Sequence, residues 1–287
     1  MKVSVVIACF NGADFIANQL EALANQRYAG PWELVISDNG STDESLAIVK
    51  TYRERIPELR IVDSSDRQSR AHARNVGVDV ATGDALLFLD QDDQVASGWL
   101  AAMSKALHEN DFVACRVETE KLNKPLVRKS RGCFQRRGLQ KYTYPSFLPH
   151  AAGCTLGIKR SLHKEIGGLD ETFFSLDDTD YCWRIQLRGT KLHFVPEAVL
   201  HYRYRKKFTD LFRQAFEYSE ENVKLYKRYC TLGMPMLTWR DPILRWKQLI
   251  KRLYRIRNKG DLAHCLWLLG WRSGRLIGSI KYKVFAL

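Results

Sequence analysis

The sequence has no C-x-x-C pair. Its seven cysteines (Cys9, Cys115, Cys133, Cys154, Cys182, Cys230 and Cys265) are odd in number and widely spaced. That argues against a disulfide framework or a zinc site and for a reducing compartment. No uninterrupted apolar run approaches the ~20 residues that a bilayer-spanning helix requires. From Met1-Lys2 the chain passes into a strand-like run without an apolar signal core or cleavage site, so the expected location is cytoplasmic. G-x-G-x-x-G does not follow that run, which speaks against a redox dinucleotide enzyme. Acids are scarce in one region only. From His201 to Leu287 there are 20 Lys+Arg and 6 Asp+Glu, against 25 and 26 in positions 1–200. The net charge of +13 therefore sits in the last third of the 287 residues, suggesting a near-neutral body with a basic attachment surface.

The most informative stretch is Ala85-Leu86-Leu87-Phe88-Leu89-Asp90-Gln91-Asp92-Asp93. Five apolar residues bounded by Gly83 read as a strand buried on both faces. It ends in three carboxylates, at the edge where open α/β sheets bind ligands. Asp90 and Asp92 project to the same side if the chain stays extended. Three acids this close repel one another, and hard oxygen donors suit Mg²⁺ or Mn²⁺ bridging to a substrate's phosphates.

Around it the chain alternates strand and helix. Lys2–Cys9 and Trp32–Ser37 are β-branched or apolar runs, and Leu59–Val62 is a third strand. Helical spacing is expected over Phe15–Ala24, over Glu44–Arg53 with Ser41 or Thr42 as N-cap, and over Ser69–Val80. The alternation predicts an α/β fold, a mostly parallel sheet with helices on both faces. Strand ends at Cys9-Phe10-Asn11, Asp38-Asn39-Gly40 and Asp90-Gln91-Asp92 then converge on one edge. Further along, a helix to about Glu109 and the strand Phe112–Val117 precede Lys121–Lys141, a basic stretch that includes Lys129 and reads as a mobile loop. Ala151–Ile158 resumes strand character around Gly153, and Leu192–Val195 and Val199–His201 read as short edge strands. A second acid cluster, Asp177-Asp178-Thr179-Asp180, is followed by a helix through Tyr181, Trp183, Arg184, Ile185 and Leu187. Two clusters suggest two tasks, one holding a metal against a leaving group and the other deprotonating a nucleophile. Displacing a diphosphate from a sugar needs both.

From about Val3 to His201 the residues resemble glycosyltransferase family 2, whose members are inverting, nucleotide-sugar-dependent enzymes of the GT-A (Rossmann-like) fold. Ser4–Gly12 (SVVIACFNG) is similar to the family's opening strand and turn, placing Cys9 and Asn11 beside the nucleotide. Glu33–Asp43 (ELVISDNGSTD) resembles the nucleotide-binding segment, with Asp38 at the base-contacting position. Arg74-Asn75-Val76-Gly77 looks like the helix facing the donor. Asp90-Gln91-Asp92 falls on the D-x-D motif, so the resemblance implies that Asp90 and Asp92 hold Mn²⁺ or Mg²⁺ and the nucleotide-sugar. It also implies Gly153 at the donor and acceptor sugars, Asp178 as catalytic base with Asp177 as the competing choice, and Asp177 and Trp183 at the acceptor. His201 falls where relatives place a late histidine on the metal or diphosphate. Three departures stand out. Ala8-Cys9 replaces the usual Pro-Thr or Pro-Ser, which removes a hydroxyl from the nucleotide contact. Asp177 replaces the usual Glu, and Q-x-x-R-W is missing, which speaks against a processive polymerase.

The expected organisation is a catalytic domain over residues 1–204 and a basic helical extension over 205–287. In the latter, Leu244–Arg257 (LRWKQLIKRLYRIR) is a basic amphipathic helix with tryptophan, suited to an anionic lipid surface. Leu262–Leu269 is apolar but too short to span. The implied function is transfer of a single sugar from a UDP- or dTDP-sugar to a saccharide or lipid-linked saccharide in envelope polysaccharide or glycolipid synthesis, at the inner face of the cell membrane. Two alternatives are a nucleotide-sugar nucleotidyltransferase, which needs a Gly-rich basic loop after the first strand, and a non-enzymatic basic nucleic-acid- or membrane-binding protein. No recognisable nucleic-acid module is present.

Overall fold

A computed structural model describes residues 1–142, 145–205, 207–237 and 240–286. The side chains of residues 126, 129, 130 and 240–244, among them Lys129 and Leu244, lie outside the described residues. The chain divides into two compact units. The first comprises Met1–Glu118, Phe134–Gln140 and Pro149–Arg203; the second comprises Thr119–Cys133, Lys141–Leu148 and the chain from Tyr204 onward.

In the first unit the strands are β1 (Val3–Cys9), β2 (Trp32–Asp38), β3 (Leu59–Asp63), β4 (Ala85–Asp90), β5 (Gln94–Val95), β6 (Phe112–Glu118), β7 (Leu156–Lys159) and β8 (His193–His201). Among the described residues they form one mixed, mostly parallel sheet in the order β3-β2-β1-β4-β7-β6-β8-β5. β1 pairs in parallel with β2 and β4, so Cys9 lies beside Asp38 and Ala8 beside Asp90. β7 runs antiparallel between β4 and β6.

Alternation along β1 sorts the two faces. Val3, Val5, Ile7 and Cys9 join the cluster holding Leu20 and Leu23 of helix α1 (Ile16–Ala24) and Trp99 and Met103 of α4 (Trp99–Glu109). Val6 points the other way, to α3 (Arg70–Val80), where a Cβ on Gly77 would sit 2.6 Å from the Val6 Cγ1. Helices therefore cover both faces. Each fully buried aliphatic side chain of this core contributes about 1.5–3 kcal/mol. At the sheet edge away from the acids, buried Glu33 accepts bonds from Ser4 Oγ (2.6 Å) and Thr82 N–H (2.6 Å) and pairs with Arg60 (3.0 Å). That end is stapled, while the carboxyl end carries the loops.

Several expectations need adjustment. Helix α2 spans Ser45–Lys50 and has no side-chain cap. Ser41 and Thr42 serve the β1–α1 turn instead, Ser41 Oγ accepting from Asn11 N–H and Thr42 N–H donating to Asn11 Oδ1. Gly153–Thr155 is a 3₁₀ turn, and only Leu156–Lys159 is strand. Residues 193–201 form one continuous strand, interior because two-residue β5 covers its far side. The remaining helices of this unit are α6 (Arg160–Glu165) and α7 (Asp177–Leu187).

In the second unit, the stretch expected to be a mobile loop contains helix α5 (Pro125–Arg131), with Pro125 at its first position, where the missing N–H costs nothing. Helices α8 (Phe208–Tyr229), α9 (Arg240–Leu253) and α10 (Lys259–Lys281) follow. α10 is one 23-residue helix that includes the apolar Leu262–Leu269 stretch. Gly270, Gly274 and Gly278, spaced four apart, form a stripe against α8. A Cβ at Gly270 would lie 2.5 Å from Phe212 O, and one at Gly274 2.2 Å from Phe216 O. Buried Arg275 bonds Asn222 Oδ1 across the same seam. Among the described residues no helix is long and apolar enough to cross a membrane.

Candidate active site

The carboxyl ends of β1 and β2 build one wall. Ser41 ties it together: its N–H faces both Asp38 oxygens (3.3 and 3.2 Å), its Oγ accepts from Asn11 N–H (3.0 Å), and it lies 3.9 Å from Cys9 Sγ. Asn11 has a positive φ of 46°, which asparagine tolerates better than most residues. Asp38 is buried to 7 % exposure by this turn. Cys9 is fully buried in the apolar cluster, and burial pushes its thiol up to about 11. Cys9, expected beside the nucleotide, has its side chain in the apolar cluster that also holds α1. Its backbone carbonyl instead accepts from Asn39 N–H (2.7 Å).

The end of β4 builds the centre. Gln91 clamps the β1 end, its Oε1 accepting from Phe10 N–H (2.9 Å) and its Nε2 donating to Phe10 O (2.8 Å). Asp93 is buried, accepts from Arg203 N–H (2.9 Å), and has an unpaired Oδ2. Burial, then the charges of Asp92 and Asp90, raise its carboxyl well above the usual range. Among the described residues, Asp90, Asp93 and Cys154 bring donor atoms within 4.8 Å of one another. Asp92 and His201, expected on the metal, do not join that group. Burial also raises the Cys154 thiol, so both it and Asp93 are held toward their neutral forms. A thiol is besides a soft donor, ill suited to Mg²⁺ or Mn²⁺. Asp90 and Asp92 supply hard carboxylate oxygens of the kind such an ion takes. His201 arrives at the same edge, paired with Glu118 along β6 and β8 and opposite Gln94 of β5. Its Nδ1 meets Glu118 Oε2 at 2.5 Å.

Arg74 joins this centre to α7. It is 1 % exposed and meets Asp90 Oδ1 at 2.6 Å and Asp177 Oδ2 at 3.3 Å. A Cβ on Gly153 would sit 2.4 Å from Arg74 Nη1, so glycine is what allows this approach. Gly153 N–H in turn donates to Asp178 Oδ2 (2.8 Å). Arg70, one turn earlier on α3, bonds Asp177 Oδ1 at 2.8 Å. The two carboxylates of α7 are thereby driven apart. For Asp177, burial alone raises the carboxyl, but Arg70 and Arg74 together bring it below the usual range. For Asp178, burial and then the Asp177 charge raise it, against the weaker pull of Arg70. Leu176, just before them, has φ of 58°, a strained conformation for a bulky residue. Asp180 is consumed by Arg184 at 2.7 Å.

Trp183, expected at the acceptor, is fully buried, edge-on to His150 with ring centroids 6.1 Å apart. The structure thus unites Asp90, Arg74, Gly153, Asp177 and Asp178, with Cys9, Asn11 and Asp38 linked through Ser41. Sequence reading missed Arg70, although it lies four residues before Arg74 on one helix face. It also missed Glu118, which only strand pairing connects to His201.

A mixed sheet of this order with a loop-built site at its carboxyl edge is the architecture of the GT-A glycosyltransferases. The mannosyltransferase PcManGT of Pyrobaculum calidifontis, solved with GDP-Man and Mn²⁺, superposes with a TM-score of 0.66 at 19 % identity, over 96 % of this chain and 86 % of that one. S. aureus TarS 1–349 does so at 0.56 and 17 %, over 100 % and 93 %. The chain belongs to glycosyl transferase family 2, whose model matches residues 4–167. Among its relatives, the uncharacterized glycosyltransferase YibD of Escherichia coli is 34 % identical over 41 % of this chain and 34 % of its own length, so the chain spans about a third of that protein. The amylovoran biosynthesis glycosyltransferase AmsB of Erwinia amylovora is 26 % identical over 84 % of this chain and 80 % of its own.

Proposed function

We propose that this glycosyltransferase is an inverting, metal-dependent enzyme that moves one sugar from a nucleotide-diphosphate-sugar, UDP- or dTDP-linked, to a hydroxyl of a saccharide or lipid-linked saccharide in envelope polymer or glycolipid synthesis. The observation that carries the reading is the opposed treatment of Asp177 and Asp178. Asp177 is neutralised by Arg70 and Arg74 and serves as an anchor. Asp178 is half-buried, raised in pKa, and aligned by Gly153 N–H, the state a general base needs to accept a proton from an acceptor hydroxyl. Attack by that hydroxyl on the face opposite the departing diphosphate inverts the anomeric carbon.

Asp38 and Asn11 line the nucleotide end of the same edge. Asp90 and Asp92 would hold Mn²⁺ or Mg²⁺, which when bound offsets the negative charge of the departing diphosphate. His201 would join them, with Glu118 on Nδ1 fixing its ring as second partners of metal-bound histidines do. Arg74 keeps Asp90 and Asp177 in register. The nucleotidyltransferase alternative is disfavoured by the β1–α1 turn, where Gln91, Ser41 and Ser45 occupy the backbone N–H groups that such a loop would offer to phosphates. The basic second unit is read as a lipid-surface attachment that keeps the enzyme at the inner face of the membrane. Exposed Ile250 and Leu253 beside Lys247 and Lys251 on α9, with exposed Tyr254 just past its end, support this.

The test is a transfer assay with UDP-, dTDP- and GDP-sugars, Mn²⁺ and saccharide acceptors, with product anomers read by NMR. Inverted product that is lost in Asp178→Asn supports the reading, and retained anomeric configuration refutes it.

A further inference from the structure

Within the second unit, the C-terminal half of α9, the connection after it and the first turns of α10 line a cleft of about 700 Å³ with Gln248, Lys251, Arg252, Arg255, Asp261 and His264. That is the size of a small-molecule site. Its electrostatics are one-sided. From Arg245 to Lys259 the chain has seven basic residues and no acid. Among the described residues no carboxylate pairs with the Lys251, Arg252 or Arg255 side chains. The one acid of the lining is already engaged, since Asp261 Oδ2 accepts from Arg257 N–H (3.0 Å) and Asn258 Nδ2 (2.9 Å). The N–H groups of Gly260 and Asp261 are capped by Asn258 Oδ1. The attraction for an anion therefore comes from the side chains and not from the helix end. Three like charges gathered round one cleft repel each other, and an anion among them removes that repulsion. Two guanidinium forks beside an ammonium match phosphate oxygens, which guanidinium binds two at a time. Half-exposed Ile250 and Leu253 lie on the same turns of α9.

We infer that this cleft binds a phosphate or diphosphate ester, carried either by a lipid or by a free metabolite. The inference goes beyond the proposed transfer reaction and does not depend on it, because every residue involved lies outside the acid-bearing sheet edge.

The experiment uses the full chain and a Lys251→Gln/Arg252→Gln/Arg255→Gln variant. A control variant, Lys105→Gln/Lys164→Gln/Lys191→Gln, loses the same charge from the surface of the first unit. Pyrophosphate is titrated calorimetrically with chelator present, which keeps divalent metal from the sheet-edge acids. Flotation is run with phosphatidylcholine vesicles, alone, doped with a polyprenyl phosphate, or doped with phosphatidylglycerol to equal charge. At least roughly tenfold weaker pyrophosphate binding in the cleft variant, with the control unchanged, is expected. Preferential flotation with polyprenyl phosphate, lost in the cleft variant, assigns the ester to a lipid; pyrophosphate binding without that preference assigns it to a free metabolite. Equal pyrophosphate affinity in wild type and cleft variant, equal loss in the control, or no binding by the wild type overturns the inference. Melting curves of both variants confirm that they are folded. Because no nucleotide-sugar is present, failure here leaves the transfer reading to its own assay.

Discussion

Replacing Arg74 by Met tests the link between the two halves of the site. The guanidinium is 1 % exposed and contacts Asp90 Oδ1 at 2.6 Å and Asp177 Oδ2 at 3.3 Å. Removing one partner of a buried pair costs roughly 3–5 kcal/mol, because the other charge stays buried without compensation. Two features reduce that figure. Asp177 keeps Arg70 at 2.8 Å, and the Asp90 side chain retains 23 % exposure. The expected loss at pH 7 is therefore about 2–3 kcal/mol, measured by urea denaturation. The sign of its pH dependence follows from Asp177. Its folded pKa is lowered, so its contribution is present above the unfolded value of about 3.9 and is lost as pH falls through the folded one. The gap between wild type and variant should narrow below about pH 4. A gap under about 0.5 kcal/mol at pH 7, typical of an exposed pair, or one that widens in acid would refute the bridging role.

Four further outcomes are expected. Asp178→Asn should lower kcat by about 10²–10⁴-fold, and the wild-type acid limb should lie above the ordinary aspartate value of about 3.9, since the base must be ionised. Asp177→Asn should instead cost mainly stability, about 2–3 kcal/mol, by taking the carboxylate from Arg70 and leaving Arg74 with Asp90 alone; the reverse ranking in kcat would assign the base to Asp177. Gly274→Ala should destabilise the second unit by about 1–2 kcal/mol in thermal melts, because overpacking against Phe216 O outweighs the helix-propensity gain of ~1 kcal/mol; a stabilised variant would contradict the close seam. Glu118→Gln should weaken Mn²⁺ binding by roughly tenfold in calorimetry if Glu118 orients His201 on the metal, and unchanged affinity would remove His201 from the metal set.

Much of the sheet was legible because two-face burial leaves continuous apolar runs: β1, β2 and β4 all lie within residues of where those runs end. Asp38 and Asp90 followed, since parallel strands share a carboxyl edge. What escaped depended on facing direction or on long-range pairing. Cys9 and Trp183 are residue types that often touch ligands, yet both face inward. For Cys9 the period-two pattern with Val3, Val5 and Ile7 already carries that signal. Glu118 meets His201 only because β6 and β8 pair in parallel across more than eighty residues. The Gly270, Gly274 and Gly278 stripe went unread in the sequence, because it carries meaning only with α8 against it. Arg70 stands where helical geometry places it beside Arg74, though nothing local distinguishes it from a solvated cation.

The central claim is that the Asp38–Asp90–Asp92 edge binds a nucleotide-sugar through a divalent metal. Calorimetric titration of the full chain with UDP-, dTDP- and GDP-sugars, with Mn²⁺ and with chelator, tests it most directly. One donor binding only with Mn²⁺, and not to Asp92→Asn, is the expected result. Folded wild-type protein that binds no donor in Mn²⁺, or binds one equally well with chelator, would contradict it.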